Sequence, residues 1–219
     1  MRSLIIGASG GIGGALTEAL QARGPVVGLS RSRDGLDITE EASIARVLAA
    51  VEGPFDLVVV ATGALQIGGA APEKTLRALS AEAMLAQFAL NAVGPALVIK
   101  HALRLMPRGA PSRLAVLSAR VGSIGDNRLG GWYSYRAAKA ALNQIVHSAA
   151  IEAARSHPQA CLVALHPGTV ATGLTEAHSG GHPTVAPETA AANLLAVLDG
   201  LTPADTGGFF DWQGQPVPW

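Results

Sequence analysis

The chain has 219 residues, 49% of them hydrophobic and 15% charged, and its sixteen basic residues balance its sixteen acidic ones. That length suits a single domain, 1–219, which should bury roughly 70–75% of its unfolded surface. Nothing in the sequence looks like the clustered basic footprint of a nucleic-acid binder, and one cysteine, Cys161, excludes an internal disulfide or thiolate metal site. Few charges and many alanines point to extensive buried helix faces, a subunit interface among them. MRSLIIGASGG is too short an apolar run for a signal peptide, and no stretch reads as the roughly 20 apolar residues of a membrane span. A soluble cytoplasmic protein with no membrane or nucleic-acid partner is the expectation.

Short apolar runs alternate with helical patterns along the chain. SLIIGA (3–8) reads as a buried strand, followed by a helix with Ile12, Leu16 and Leu20 on one face. PVVGLS (25–30) is a second strand, and Ile44, Val47, Leu48 and Val51 mark the next helix. FDLVVVAT (55–62) is a β-branched strand, followed by helices over 80–92 and 95–106. RLAVLSA (113–119) is a fourth strand, 135–155 a long helix, and ACLVALHPG (160–168) a fifth strand holding Cys161 as an inert buried thiol. A loop over 173–187, long enough to act as a lid, leads to a helix over 187–201 and a short GGFFDW strand. The five longer strands do not alternate apolar and polar, so both sheet faces are covered. The fold class is α/β, a doubly wound, mostly parallel Rossmann-type sheet with helices on each side.

GASGGIGGAL joins the first strand to the first helix, with Gly7, Gly11 and Gly13 spaced G-x-x-x-G-x-G. Glycine serves where backbone must turn tightly or approach a ligand. The helix start directs free N–H groups and a positive dipole end at the loop, which suits a pyrophosphate. At the end of the second strand an NAD site would carry an acid for the ribose hydroxyls. Here stand Ser30, Arg31 and Arg33 with no carboxylate at the strand end, which favours the 2′-phosphate of NADP over NAD. Asp37 either caps the following helix or accepts a hydrogen bond from an adenine amino group.

Ala61–Thr62–Gly63, Ser118 and Pro167–Gly168–Thr169 fall at strand ends and would line one crevice. Tyr135 and Lys139, at i and i+4, share a helix face with roughly 5–6 Å between Cβ atoms. A phenol with a free pKa near 10 needs roughly 4 kcal/mol of preference for the phenolate to titrate near 7. A neighbouring ammonium, helped by an oxidised nicotinamide ring, is the expected source. Tyr133 lacks this partner, with Ala137 four residues on, and reads as an aromatic wall. His147, His157 and His166 make no metal spacing with any acid, so no metal is assigned.

These residues together resemble the short-chain dehydrogenase/reductase family. The resemblance covers essentially the whole chain: the Gly7/Gly11/Gly13 loop, Asp37, Asn91 in LNAVGPAL, Tyr135-x-x-x-Lys139, and HPGTVATG over 166–173. Two longer stretches, SARVGSIGDNRLGGWYSYRAAKAAL and GGFFDWQGQPVPW, are similar to the C-factor-like and carbonyl-reductase-like members. The resemblance implies Tyr135 as acid/base, with Lys139 holding the nicotinamide ribose and lowering the tyrosine pKa. It implies Asn91 holding a relay water, and Ser9, Ile12, Ile38 and Val170 among the cofactor contacts. Pro167, Gly168 and Thr169 would pass the nicotinamide, with Thr172 near its carboxamide.

Two departures from the family pattern stand out. The N-N-A-G expected after the third strand is Val60–Ala61–Thr62–Gly63, and the serine expected to orient the substrate carbonyl is Ala119. Ser118 through a local bulge, or Ser123 from beyond Gly122, would have to supply the hydroxyl. Losing one such donor typically costs on the order of 3 kcal/mol of transition-state stabilisation. The expected function is an NADP-preferring oxidoreductase, with NAD as the alternative cofactor, acting on a carbonyl or secondary alcohol. The alternative is a cofactor-binding signalling protein of the C-factor kind. Trp132, Tyr133 and the 173–187 loop should form the substrate pocket, and Trp212 and Trp219 should pack. The face AAKAALNQIVHSAAIEAA (137–154) allows close helix approach, and in the resembled family the matching helix makes a two-fold contact, so a homodimer or homotetramer is expected.

Overall fold

The computed structural model describes residues 1–173 and 183–219. The expected lid over 173–187 falls mostly on residues outside these. Six strands form one sheet: β1 (Ser3–Ile6), β2 (Val26–Leu29), β3 (Leu57–Val60), β4 (Ser112–Leu117), β5 (Ala160–His166) and β6 (Phe209–Asp211). Their order is β2-β1-β3-β4-β5-β6 and every named pairing is parallel.

Side chains alternate between two covered faces, as strand geometry requires. Val58 and Val60 of β3 pack with α3 (Glu41–Ala49), α5 (Gly94–Ala102) and α6 (Tyr133–Ala153). Leu57 and Val59 pack with α1 (Gly11–Gln21) and α7 (Pro187–Gly200). Because both faces are buried, β-branched runs without polar alternation are stable here. The strands are shorter than the apolar runs that mark them, since pairing stops where a neighbour ends.

A four-residue helix, α2 (Arg31–Asp34), follows β2 and closes on Gly35 at φ 64. The expected helices over 80–92 and 95–106 form one continuous run, which corrects the boundary drawn between them. α4 (Ala81–Phe88) passes through a π turn over Ala89–Val93 into α5. The run Ala81–Leu105 has 25 residues and a window of mean hydropathy 1.4, so by length and composition alone it qualifies as a span, against the expectation that none would. Its apolar side packs on α3 and α6 in the helical layer. Of the alanine-rich face of α6, Ala138, Ala150 and Ala153 are buried in the protein's own core with Leu142 and Val146. Ala137, Ala140 and Ala141 remain half-buried and Ile151 is exposed.

The sheet order places β2 on one side of β1 and β3 on the other. Ligands of such sheets bind beyond the carboxyl ends of the strands where the order reverses. That point lies between Gly7 and Ala61: a Cβ on Gly7 would sit 2.8 Å from the Ala61 carbonyl oxygen.

Candidate active site

The glycine loop is built for close approach. Gly7 has φ 91, in the left-handed region that favours glycine. A Cβ on Gly13 would stand 2.1 Å from the Gly7 carbonyl oxygen, and one on Gly11 would stand 2.7 Å from Thr172 Cγ2. The N-cap of α1 is Gly10, with no side-chain cap and no acid in the first turn. Among the described residues no cap or first-turn acid occupies the free N–H groups and positive end of this helix, a cradle that fits a pyrophosphate. Ile12 lines the adjoining cleft, while Ser9 is exposed on the loop tip.

At the end of β2 the structure corrects one sequence expectation. A carboxylate does stand there: Asp34 accepts hydrogen bonds from the Ser30 backbone N–H (2.7 Å) and hydroxyl (3.3 Å). The single turn of α2 folds residue i+4 back over the strand end, which linear reading from Ser30 to Arg33 missed. Arg31 and Arg33 are exposed beside it, and Arg33 Nε donates to Ser30 Oγ. Asp37 does not cap α3, whose N-cap is Glu40. Its Oδ1 accepts from the backbone and hydroxyl of Thr39 (2.9 and 2.7 Å), and the hydroxyl contact above all holds its carboxyl below the usual range. Ile38 is buried, and its carbonyl oxygen lies against Gly94 rather than lining the cleft.

A cleft of about 520 Å³ opens beyond the carboxyl ends of β1, β3, β4 and β5. Ala61, Thr62 and Gly63 form one wall, and the Thr62 hydroxyl is buried with no partner among the described residues. Pro167, Gly168 and Thr169 form another wall, with Val170 and Thr172. This segment is held by Val185, whose N–H donates to Thr169 O and whose carbonyl accepts from Ala171 N. Trp212 packs on Gly168, 3.1 Å from where a Cβ would be. Trp219 stacks on Phe209 and meets His147 edge-on.

Tyr135 and Lys139 both face the cleft and both are buried. Lys139 Nζ donates to the Leu117 carbonyl (3.0 Å) and lies 5.9 Å from the Tyr135 ring centroid. A Cβ on Gly122 would fall 2.8 Å from Lys139, so that glycine lets α6 seat against the end of β4. The expected lowering of the tyrosine pKa is not produced by these protein groups. Burial pushes Tyr135 up to about 12 and pulls Lys139 down to about 8. Removing a phenolate from water costs more than an ammonium poised on a carbonyl returns. At neutral pH the Tyr135 hydroxyl therefore keeps its proton.

Of the two candidates for the hydroxyl missing at Ala119, Ser118 lines the cleft and Ser123 does not. Ser118 N continues the ladder to Leu165 O, so no bulge forms, and alternation carries its side chain toward α6. There Ser118 Oγ donates to Asn143 Oδ1 at 2.6 Å. Ser123 is buried away from the cleft, with its hydroxyl donated to Pro218 O. Asn91 sits in the π turn, fully buried. Its amide donates to Ala64 O and Gln87 Oε1 and accepts from Ala64 N, pinning the loop after β3. A water relay would have to use what remains of Oδ1, which lies 2.9 Å from a Cβ position on Gly63, with Lys139 Nζ 3.4 Å from the same point.

Several site residues escaped sequence reasoning. Glu73 is buried, its carboxylate accepting from the Ser134 backbone and hydroxyl and its carbonyl from Trp132 N. It thus caps the start of α6 from 61 residues away. Burial pushes this carboxyl up, but hydrogen bonds from Ser134 and its own backbone outweigh it and hold it below the usual range. No local signal marks such a contact. Asn143 could have been found, since it extends Tyr135 and Lys139 by a further four residues on one face.

His166 also lines the cleft, with Nδ1 buried and unpartnered among the described residues. Burial, with Arg120 nearby, lowers its pKa from 6.5 to about 4. A depressed folded-state pKa contributes stability above the unfolded value that is lost as pH falls through the folded one. Denaturation should thus show stability falling between pH 6.5 and about 4, with His166→Asn removing about 3 kcal/mol of that fall. An unchanged slope in the variant would refute the assignment.

This arrangement has known counterparts. A family model described as enoyl-(acyl carrier protein) reductase matches residues 7–199. The 1-hydroxy-2-glutathionyl-2-methyl-3-butene dehydrogenase of Rhodococcus sp. (strain AD45) is 30% identical, over 99% of this chain and 98% of its own. The C-signal protein of Myxococcus xanthus is 39% identical over 62% of this chain and 78% of its own. A short-chain dehydrogenase/reductase structure from Burkholderia multivorans, titled as having bound NADP, superposes with a TM-score of 0.83 at 27% identity, covering 100% of this chain and 99% of its own. With the glycine loop, the six parallel strands and the Tyr135–Lys139 pair in one cleft, the chain belongs to the short-chain dehydrogenase/reductase family.

Proposed function

We propose that the protein is an NADP-preferring carbonyl reductase in which Tyr135 delivers a proton to the substrate oxygen. The observation that carries this reading is the burial of Tyr135 and Lys139 together on the wall of the cleft at the strand ends. A bound nicotinamide would supply the hydride. Tyr135, protonated at neutral pH, donates to the forming alkoxide in the direction of reduction. Lys139, fixed on Leu117 O, places a positive charge beside the phenol. Arg31 and Arg33 at the end of β2 supply the guanidinium groups that suit a 2′-phosphate, against the single Asp34 already bonded to Ser30. The NADP of the Burkholderia relative supports this choice. The test is NADPH oxidation across a panel of aldehydes, ketones and quinones. Binding of NADPH with no turnover on any of them would overturn the reading.

A second reading, a cofactor-binding signalling protein with feeble catalysis, is favoured by one observation: Ala119 lines the cleft and both nearby serine hydroxyls are engaged elsewhere. The likeness to C-signal points the same way. Ala119→Ser separates the two readings. On the reductase reading the added donor raises kcat by roughly tenfold or more, given that one such donor is typically worth 10²–10³. No gain would place the oxyanion contact elsewhere. The half-buried outer face of α6, with Ala137, Ala141 and exposed Ile151, supports a two-fold contact and hence a homodimer or homotetramer. A monomer on gel filtration at micromolar concentration would count against it.

A further inference from the structure

Beyond Tyr135 the cleft wall carries a cation for which proton delivery has no use. Arg136 is the next residue of α6, and its guanidinium reaches over the preceding loop. Nε donates to Gly130 O (3.1 Å) and Gly131 O (3.0 Å), and Nη1 to Val121 O (3.2 Å). All three acceptors are neutral. Among the described residues Nη2 and the second N–H of Nη1 have no partner, and no carboxylate stands within ion-pair distance of Arg136. Arg120 in the same region shows the contrast, since it is paired with both Asp126 and Asp211. The partial burial that lowers the Arg136 pKa also makes an unneutralised charge there costly.

The rest of the cleft lining sharpens the point. It contains no Asp or Glu among the described residues, while Lys139 and Arg136 both face it. Lys139 is committed to Leu117 O and stands at the reacting end. The phosphate cradle of α1 stands over β1, whereas the Val121 anchor follows β4, two strands further along the sheet. At about 4.8 Å per strand that is roughly 10 Å away, so an anion held by the glycine loop leaves Arg136 unneutralised. The same lining carries the apolar side chains of Val121, Leu129 and Trp132.

We propose that Arg136 is the recognition point for a carboxylate on the substrate, so that the substrate class is an aldehyde or ketone bearing a carboxylate at its far end. Nη2 and the remaining N–H of Nη1 are the donors left over, and a guanidinium can present such donors in pairs to a carboxylate. The apolar body of the substrate lies along Val121, Leu129 and Trp132. Its carbonyl then reaches Tyr135, in keeping with the reductase reading on which this inference rests.

Two measurements test it separately from that reading. In the first, benzoate and neutral benzamide are titrated into the NADP-loaded protein by saturation-transfer NMR. Wild type should prefer benzoate by roughly tenfold, the equivalent of one charge-assisted contact. Arg136→Gln should remove the preference, and Arg136→Lys, which keeps the charge but not the fork, should restore part of it. In the second, 4-carboxybenzaldehyde is compared with benzaldehyde as substrate. The carboxylate should lower KM by about the same tenfold with kcat changed little. Equal binding of benzoate and benzamide by wild type would overturn the site, as would a preference that survives Arg136→Gln. If Arg136→Gln does not fold, loss of the wild-type benzoate preference at high salt, with benzamide unaffected, supports the site, and a salt-independent preference overturns it. Benzoate preference without turnover would overturn the reductase reading and leave the carboxylate site standing. Equal kcat/KM for the two aldehydes would do the reverse.

Discussion

Tyr135→Phe lowers kcat by about a thousandfold or more while leaving NADPH affinity within about threefold of wild type; general acid catalysis typically contributes 10²–10⁴. The phenol is buried at the cleft wall, and no other buried phenol is available to replace it: the other tyrosine, Tyr133, is only half-buried and does not line the cleft. Phenylalanine keeps the ring that meets Trp132 edge-on at 6.4 Å, so the packing survives and only the proton is lost. Because burial lifts Tyr135 to about 12, the acid form is present across the whole neutral range. The rate of reduction should therefore stay flat toward alkaline pH until Lys139, near 8, loses its charge. Stopped-flow NADPH oxidation against pH reads both effects. Turnover that survives Tyr135→Phe would remove this residue from the mechanism.

Gly13→Ala should destabilise the protein by about 3 kcal/mol or more and abolish cofactor binding. A Cβ there would stand 2.1 Å from the Gly7 carbonyl oxygen and 2.8 Å from its carbon, both of them backbone. Overpacking usually costs 1–3 kcal/mol when side chains can shift, and here the obstructing atoms are backbone. Relief requires the glycine turn to move off the end of β1, and that turn is tied down by Gly7 N donating to Leu29 O. The loop and the sheet edge would have to move together. Urea denaturation and NADPH fluorescence titration check the two halves of this prediction. By contrast Gly14, whose Cβ would meet nothing closer than 3.6 Å, should accept alanine at little cost.

Much of the fold was legible because burial on both faces leaves a linear mark. LVVV and CLVAL are apolar at every position; the first is the whole of β3 and the second the centre of β5. The Tyr135–Lys139 pair was legible for a similar reason, since helical spacing alone puts i and i+4 on one face. Features that depend on the chain returning to itself were not. Asp34 looks remote from the strand end until α2 turns it back onto Ser30. The Glu73 contact joins residues 61 apart in sequence. Ser118 reads as a free hydroxyl until Asn143 is brought to it from α6. The tyrosine pKa went in the opposite direction from expectation because sequence shows the neighbouring charge and not the depth of burial that opposes it.

The sequence by itself determined the alternation of strand and helix, the glycine turn, and the register of Tyr135 with Lys139, since each rests on local spacing and side-chain chemistry. Tertiary structure alone decided which groups have partners. It engaged Ser118 and Ser123, committed Asn91 to the loop after β3, and left Arg136 with three carbonyls and no acid among the described residues. Hydrogen bonding and desolvation depend on three-dimensional neighbours, and those neighbours are fixed only when distant segments meet.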